Sequence, residues 1–157
     1  METRVYHTMD RQKLAWPPGP WQDEPDKEQF EDPTTGFPCL INRNHMGSLC
    51  GYIGVDDGHP WYQADYDDVD AEVHGGLTYS AFCQDELDEA HAICHVPGPG
   101  EPDKLWWLGF DCAHWQDITP HMLQYPGYPF GDSDMFPSSY KSFEYMLIIG
   151  KQVTYFS

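Results

Sequence analysis

Two alternating runs of apolar and polar residues meet at Gly75-Gly76, and they form the strongest local pattern in the chain. A two-residue glycine turn between such runs predicts a β-hairpin over 65–82. His74 then faces Leu77, Glu72 faces Tyr79, and Asp70 faces Ala81. Val69, Ala71 and Val73 share one face with Thr78, Ser80 and Phe82. Asp68, Asp70, Glu72 and His74 form a row on the other face, about 6.6–6.8 Å apart, because alternate strand residues point the same way.

The same reading supplies the other elements. Residues 28–43 predict a hairpin, with Asp32-Pro33-Thr34-Thr35-Gly36 carrying proline and glycine where a turn wants them. Leu49 to Val55 predicts a strand in which Gly51 and Gly54 mark a bulge or a close backbone approach. Asp56-Asp57-Gly58 turns the chain, Ala92 to Val96 predicts a buried strand, and Leu105 to Cys112 is the most apolar strand of all. Trp106 and Trp107 are consecutive there and must face opposite sides of the sheet. A stripe through Tyr140, Phe143, Met146, Leu147 and Val153 predicts one terminal helix, about Ser139 to Tyr155. Residues 116–138, rich in Pro, Gly and Asp, predict a long loop. Trp16-Pro17-Pro18-Gly19-Pro20-Trp21 makes residues 1–28 a peripheral arm, pinned by its two tryptophans. The expected fold is α+β: a single domain of 157 residues with an antiparallel sheet and one late helix.

Charge changes the picture. Twenty-six acids against eight Lys and Arg give a net charge of −18, which opposes direct binding to nucleic-acid phosphates. No Lys or Arg lies between Arg43 and Lys104, yet 13 of the acids fall there. A solvated surface is the plain explanation of such a run, and an electronegative interaction surface the sharper one. The opening residues lack the apolar segment of a signal peptide, and no stretch approaches the length of a membrane span. Five cysteines without a C-x-x-C pair predict reduced thiols in a cytoplasmic protein.

Candidate chemistry gathers at predicted strand ends. His59, His74, Tyr79, Trp107, Asp111 and His114 could line an aromatic pocket with acid–base capacity. Cys112 and His114 could give two ligands to zinc, but no clustered metal spacing accompanies them, and no cofactor is expected.

Gly51-Tyr52-Ile53-Gly54-Val55, Gly58-His59-Pro60, the run from Asp65 through His74-Gly75-Gly76-Leu77-Thr78-Tyr79 and the run from Trp106 to His114 together resemble a set found in uncharacterised proteins of bacteria and their phages. That resemblance covers roughly residues 16–120 and carries no activity. It implies a phage or mobile-element setting, hence a host cytoplasm.

Two functions follow. In the first, Asp56, Asp57, Asp65, Asp67, Asp68, Asp70 and Glu72 present spaced negative charge to a basic protein surface. The chain would then mimic nucleic acid and block the groove of a partner, a host defence nuclease being one such target. In the second, the histidine and aspartate pocket serves a small ligand or a metal-assisted hydrolysis.

Overall fold

The computed structural model describes residues 1–33, 35–70, 76–111 and 120. Among these, one antiparallel sheet of six strands dominates, in the order β1-β2-β3-β4-β6-β5. Its strands are β1 (Arg4–Tyr6), β2 (Lys27–Glu31), β3 (Pro38–Arg43), β4 (Leu49–Val55), β5 (Tyr79–Phe82) and β6 (Trp106–Asp111), with one short helix, α1 (Asp10–Ala15). The described part is therefore mostly β. The predicted terminal helix and the 116–138 loop lie outside the described residues, apart from Pro120.

The β2–β3 hairpin forms as its turn residues predict. The Asp32 side chain accepts from the Thr35 amide and hydroxyl, and Gly36 takes the left-handed conformation that closes the turn. β4 occupies Leu49–Val55 as expected. Gly54 serves a close approach, since a Cβ there would lie 2.8 Å from the Trp107 ring.

Register divides the side chains between two faces. Ile41, Leu49, Ile53, Leu108 and Phe110 build one core, which Trp61, Ala64 and Val69 cover from the loop after β4. Leu40, Leu105 and Trp107 build a second core with Tyr52, Tyr79 and Ile93. Trp106 and Trp107 thus take opposite faces, and Trp107 is wholly buried.

The structure corrects several expectations. Residues 65–70 are not a strand. Tyr66–Asp68 form a single 3-10 turn capped by the Asp65 side chain, and the described partner of β5 is β6 alone. The row of Asp68, Asp70, Glu72 and His74 on one strand face is therefore not formed from its first member. Asx capping by Asp65, which satisfies the amide of Asp67, overrides the alternation. Ala71 to Gly75 lie outside the described residues.

Residues 92–96 are not a strand either. They cross the second face of the sheet and are held by side chains instead. Lys27, buried in β2, donates from Nζ to the carbonyls of Ala92 at 2.8 Å and Cys94 at 3.0 Å, and to that of Glu89. Gln29 accepts from the Val96 amide at 2.8 Å and donates to the Val96 and Glu2 carbonyls. The thiols are not all reduced, because Cys83 and Cys94 form a disulfide with Cα atoms 4.8 Å apart. No C-x-x-C spacing announces it, since the pair is brought together by the chain folding back over β6.

The first 28 residues are more structured than an extended arm. β1 adds an edge strand against β2, and α1 follows. Trp16 and Trp21 are buried with Met9, and the Trp21 indole donates to the Pro17 carbonyl at 2.9 Å. Asp26 anchors this region. It accepts from the amides of Thr8 and Met9, from Arg43 Nε at 2.9 Å, and pairs with Lys13 at 3.0 Å.

Candidate interaction surface and cleft

The loop from Asp56 to Asp70 is built on apolar anchors that leave its acids outside. Trp61, Ala64 and Val69 pack into the first core. The Trp106 indole donates to the Ala64 carbonyl at 2.9 Å, Tyr62 stacks edge-on against Phe82, and Ser80 Oγ accepts from the Tyr66 amide. Asp56, Asp57, Asp65, Asp67, Asp68 and Asp70 are all exposed. Among the described residues none of the six forms an ion pair. The hydrogen bonds they make are local, such as Asp56 Oδ1 accepting from the Gly58 amide at 3.0 Å. The ion-paired acids among the described residues are elsewhere, at Glu2, Glu24, Asp26, Asp88, Glu89 and Glu101. Glu72 lies outside the described residues.

The proposed pocket residues are distributed over both faces. His59 accepts at Nδ1 from the Trp61 amide at 3.0 Å, which places the proton of a neutral ring on Nε2, and it packs against Phe37 and Trp61 on the first core. Tyr79 stands in the second core with its ring 5.4 Å from that of Tyr52. Burial, and after it the Glu86 charge, raises the Tyr79 pKa. Trp107 is in the same core, so the structure brings Tyr79 and Trp107 together and sets His59 apart from them. Asp111 ends β6 opposite Cys50. His74, Cys112 and His114 lie outside the described residues. Among the described residues no three His, Cys, Asp or Glu side chains converge to hold a metal ion.

One buried group escaped the sequence reading as a site residue. His95 is 6% exposed, its ring lies edge-on to Trp107 at 5.4 Å, and both ring nitrogens are buried without a hydrogen-bond partner. Burial lowers its pKa, against the opposing pull of Asp103, the Pro102 carbonyl and Glu101. The Pro102 carbonyl acts on the ring without reaching hydrogen-bond geometry. His95 borders a cleft of about 210 Å³ that Glu31, Phe37, Asp56, Glu101 and Leu105 also line. A histidine inside the apolar run Ala92 to Val96 was the available signal, since a buried imidazole needs partners.

No family model, curated protein or solved structure matches the chain. Among the described residues no helix is long and apolar enough to cross a membrane.

Proposed function

We propose that this protein is an acidic interaction protein whose 56–70 loop occupies a basic, nucleic-acid-binding surface on another protein. The observation that carries the reading is the separation of roles within that loop. Trp61, Ala64 and Val69 go inward, and six carboxylates that form no ion pair among the described residues go outward on a backbone tied to the sheet. Carboxylates held at fixed spacing offer Arg and Lys clusters the pattern of charge that phosphates would. A nuclease of a host defence system is the partner class that this reading and a phage setting favour together. The protein would then be an inhibitor in a host cytoplasm. With the helix predicted near Ser139 to Tyr155, its fold class would be α+β.

The test is competition. A panel of basic nucleases is assayed for DNA binding with and without the protein, at low salt and at about 0.5 M salt, where screening shortens to a few ångströms. The expected result is inhibition that fades at high salt. It should also disappear when Asp65, Asp67, Asp68 and Asp70 are changed together to Asn, while each single change has little effect. Inhibition indifferent to salt and to the fourfold change would overturn the reading.

A further inference from the structure

We propose that Cys83 and Cys94 form a thiol–disulfide exchange site, opened by an external dithiol and closed again by an external disulfide while the sheet stays folded. Such a site works independently of the acidic loop. Exchange requires a thiolate to reach a sulfur of the bond. Both cysteines are half-buried, and both border two clefts, of about 510 and 210 Å³. Phe82 and Lys104 wall the larger cleft, with the Lys104 ammonium 4.6 Å from the Phe82 ring centre, and Asp85 and Asp103 also border it. The other described cysteines stand too far off to exchange with the pair. Cys39 is buried, and its level on the sheet runs through Ile53 and Leu108 before it reaches Ser80 of β5. Cys50 pairs with Asp111, whereas Phe82 pairs with Trp106 at the other end of β6, about 17 Å along the strand. Among the described residues no third cysteine is at hand, so the donor is external.

The two ends of the bond are also held by other means. Cys83 follows Phe82, the last residue of β5, whose ring stands edge-on to Trp106 at 4.8 Å. Cys94 keeps its carbonyl 3.0 Å from Lys27 Nζ. Next to the bond, the Gln84 amide donates to the Ile93 carbonyl at 3.5 Å, and Gln84 Oε1 accepts from the Ile93 amide at 3.1 Å. Reduction therefore leaves the two thiols close, and closing the bond again is an intramolecular step. In the opening direction a donor thiolate attacks one sulfur and forms a mixed disulfide. The Cys83–Cys94 bond breaks, and the other sulfur leaves as a thiolate that takes a proton from water. The second donor thiol, its proton lost to solvent, attacks the donor sulfur of the mixed disulfide and releases the second cysteine. Two electrons pass to the protein, and the donor becomes an intramolecular disulfide. An external disulfide runs the same steps in reverse.

The experiment is a redox titration of the full folded chain with dithiothreitol, followed by alkylation and peptide mass mapping, with amide NMR spectra taken alongside. Cys83 and Cys94 should be reduced together, at a rate first order in dithiothreitol and at least about tenfold above that of global unfolding, measured by urea jumps extrapolated to water. The amide signals of β2 and β3 should stay in place, and bis(2-hydroxyethyl) disulfide should restore the bond without denaturant. Folded Cys94→Ser should form a mixed disulfide with dithiobis-nitrobenzoate at Cys83, and folded Cys83→Ser at Cys94, while Cys39 stays unlabelled. A reduction rate independent of dithiol and equal to that of unfolding would make the bond a closed structural staple and overturn the assignment. So would loss of the β2 and β3 signals on reduction, failure of the bond to return, or labelling of neither cysteine in its single variant.

Discussion

Trp106 donates its indole N–H to the carbonyl of Ala64, 2.9 Å away, and so binds the acidic loop to the sheet that carries it. Trp106→Phe keeps an aromatic ring beside Phe82 and removes the donor, together with part of the indole's packing volume. It should cost about 1–3 kcal/mol, because the Ala64 carbonyl loses its partner. Hydrogen exchange should speed up across residues 61–69 and remain unchanged in β2 and β3. Uniform exchange behaviour would mean that the loop is held by its apolar anchors alone.

Asp26 should govern acid stability. Burial raises its pKa, but Lys13 and the amides of Thr8 and Met9 outweigh that and leave it below the ordinary value. A depressed carboxylate pKa means that the unfolded chain binds the proton more readily. The contribution is therefore full above the unfolded pKa and is lost as pH falls through the folded one. Asp26→Asn should cost about 3–5 kcal/mol at neutral pH, since Lys13 and Arg43 would be left without their shared charge. It should also flatten the acid limb of a denaturation-midpoint profile.

Lys27 should likewise make stability rise with pH, at the alkaline end and by relief of a penalty. Burial lowers its pKa from 10.5 to about 8, against the pull of Glu89 and Asp88. The unfolded chain then binds more protons between these values, so a penalty present below about pH 8 is relieved as pH rises toward 10.5. Compared with Lys27→Met, the native protein should gain stability across that window. Urea midpoints of both proteins at pH 7 and pH 10 give the comparison.

Removing the Cys83–Cys94 bond by Cys83→Ser and Cys94→Ser should cost about 2–4 kcal/mol, the range for a short closed loop. Treatment with a dithiol should lower the unfolding free energy of the native protein by a similar amount and leave the double variant unchanged. The Lys27 and Gln29 bonds to the crossing segment should survive, so hydrogen exchange should rise at 84–91 more than at 92–96.

The strands that were legible in sequence are those whose signals are local. The 32–36 turn, the boundaries of β4 and the opposed Trp106 and Trp107 all follow from residue chemistry within a few positions. The Asp65 region misled because a short capping interaction competes with alternation, and the capping won. Ala92–Val96 misled because its apolar content suits a strand, whereas its backbone partners are side chains of β2, more than 60 residues away. Of the candidate site, the six exposed acids were legible as charge. The pairing of Cys83 with Cys94 and the isolation of His95 depend on the crossing of that segment, which no short spacing encodes.

That crossing also has a consequence for how the sheet finds its alignment. Lys27 and Gln29 lie on one face of β2, and together they serve the main-chain groups of Glu2, Glu89, Ala92, Cys94 and Val96. A slip of one residue between β2 and β3 would turn both side chains to the opposite face and strip those groups of their partners at once. Misalignment is thus penalised by polar groups deep in the protein, so β2 proofreads its own position before the crossing segment can close over it.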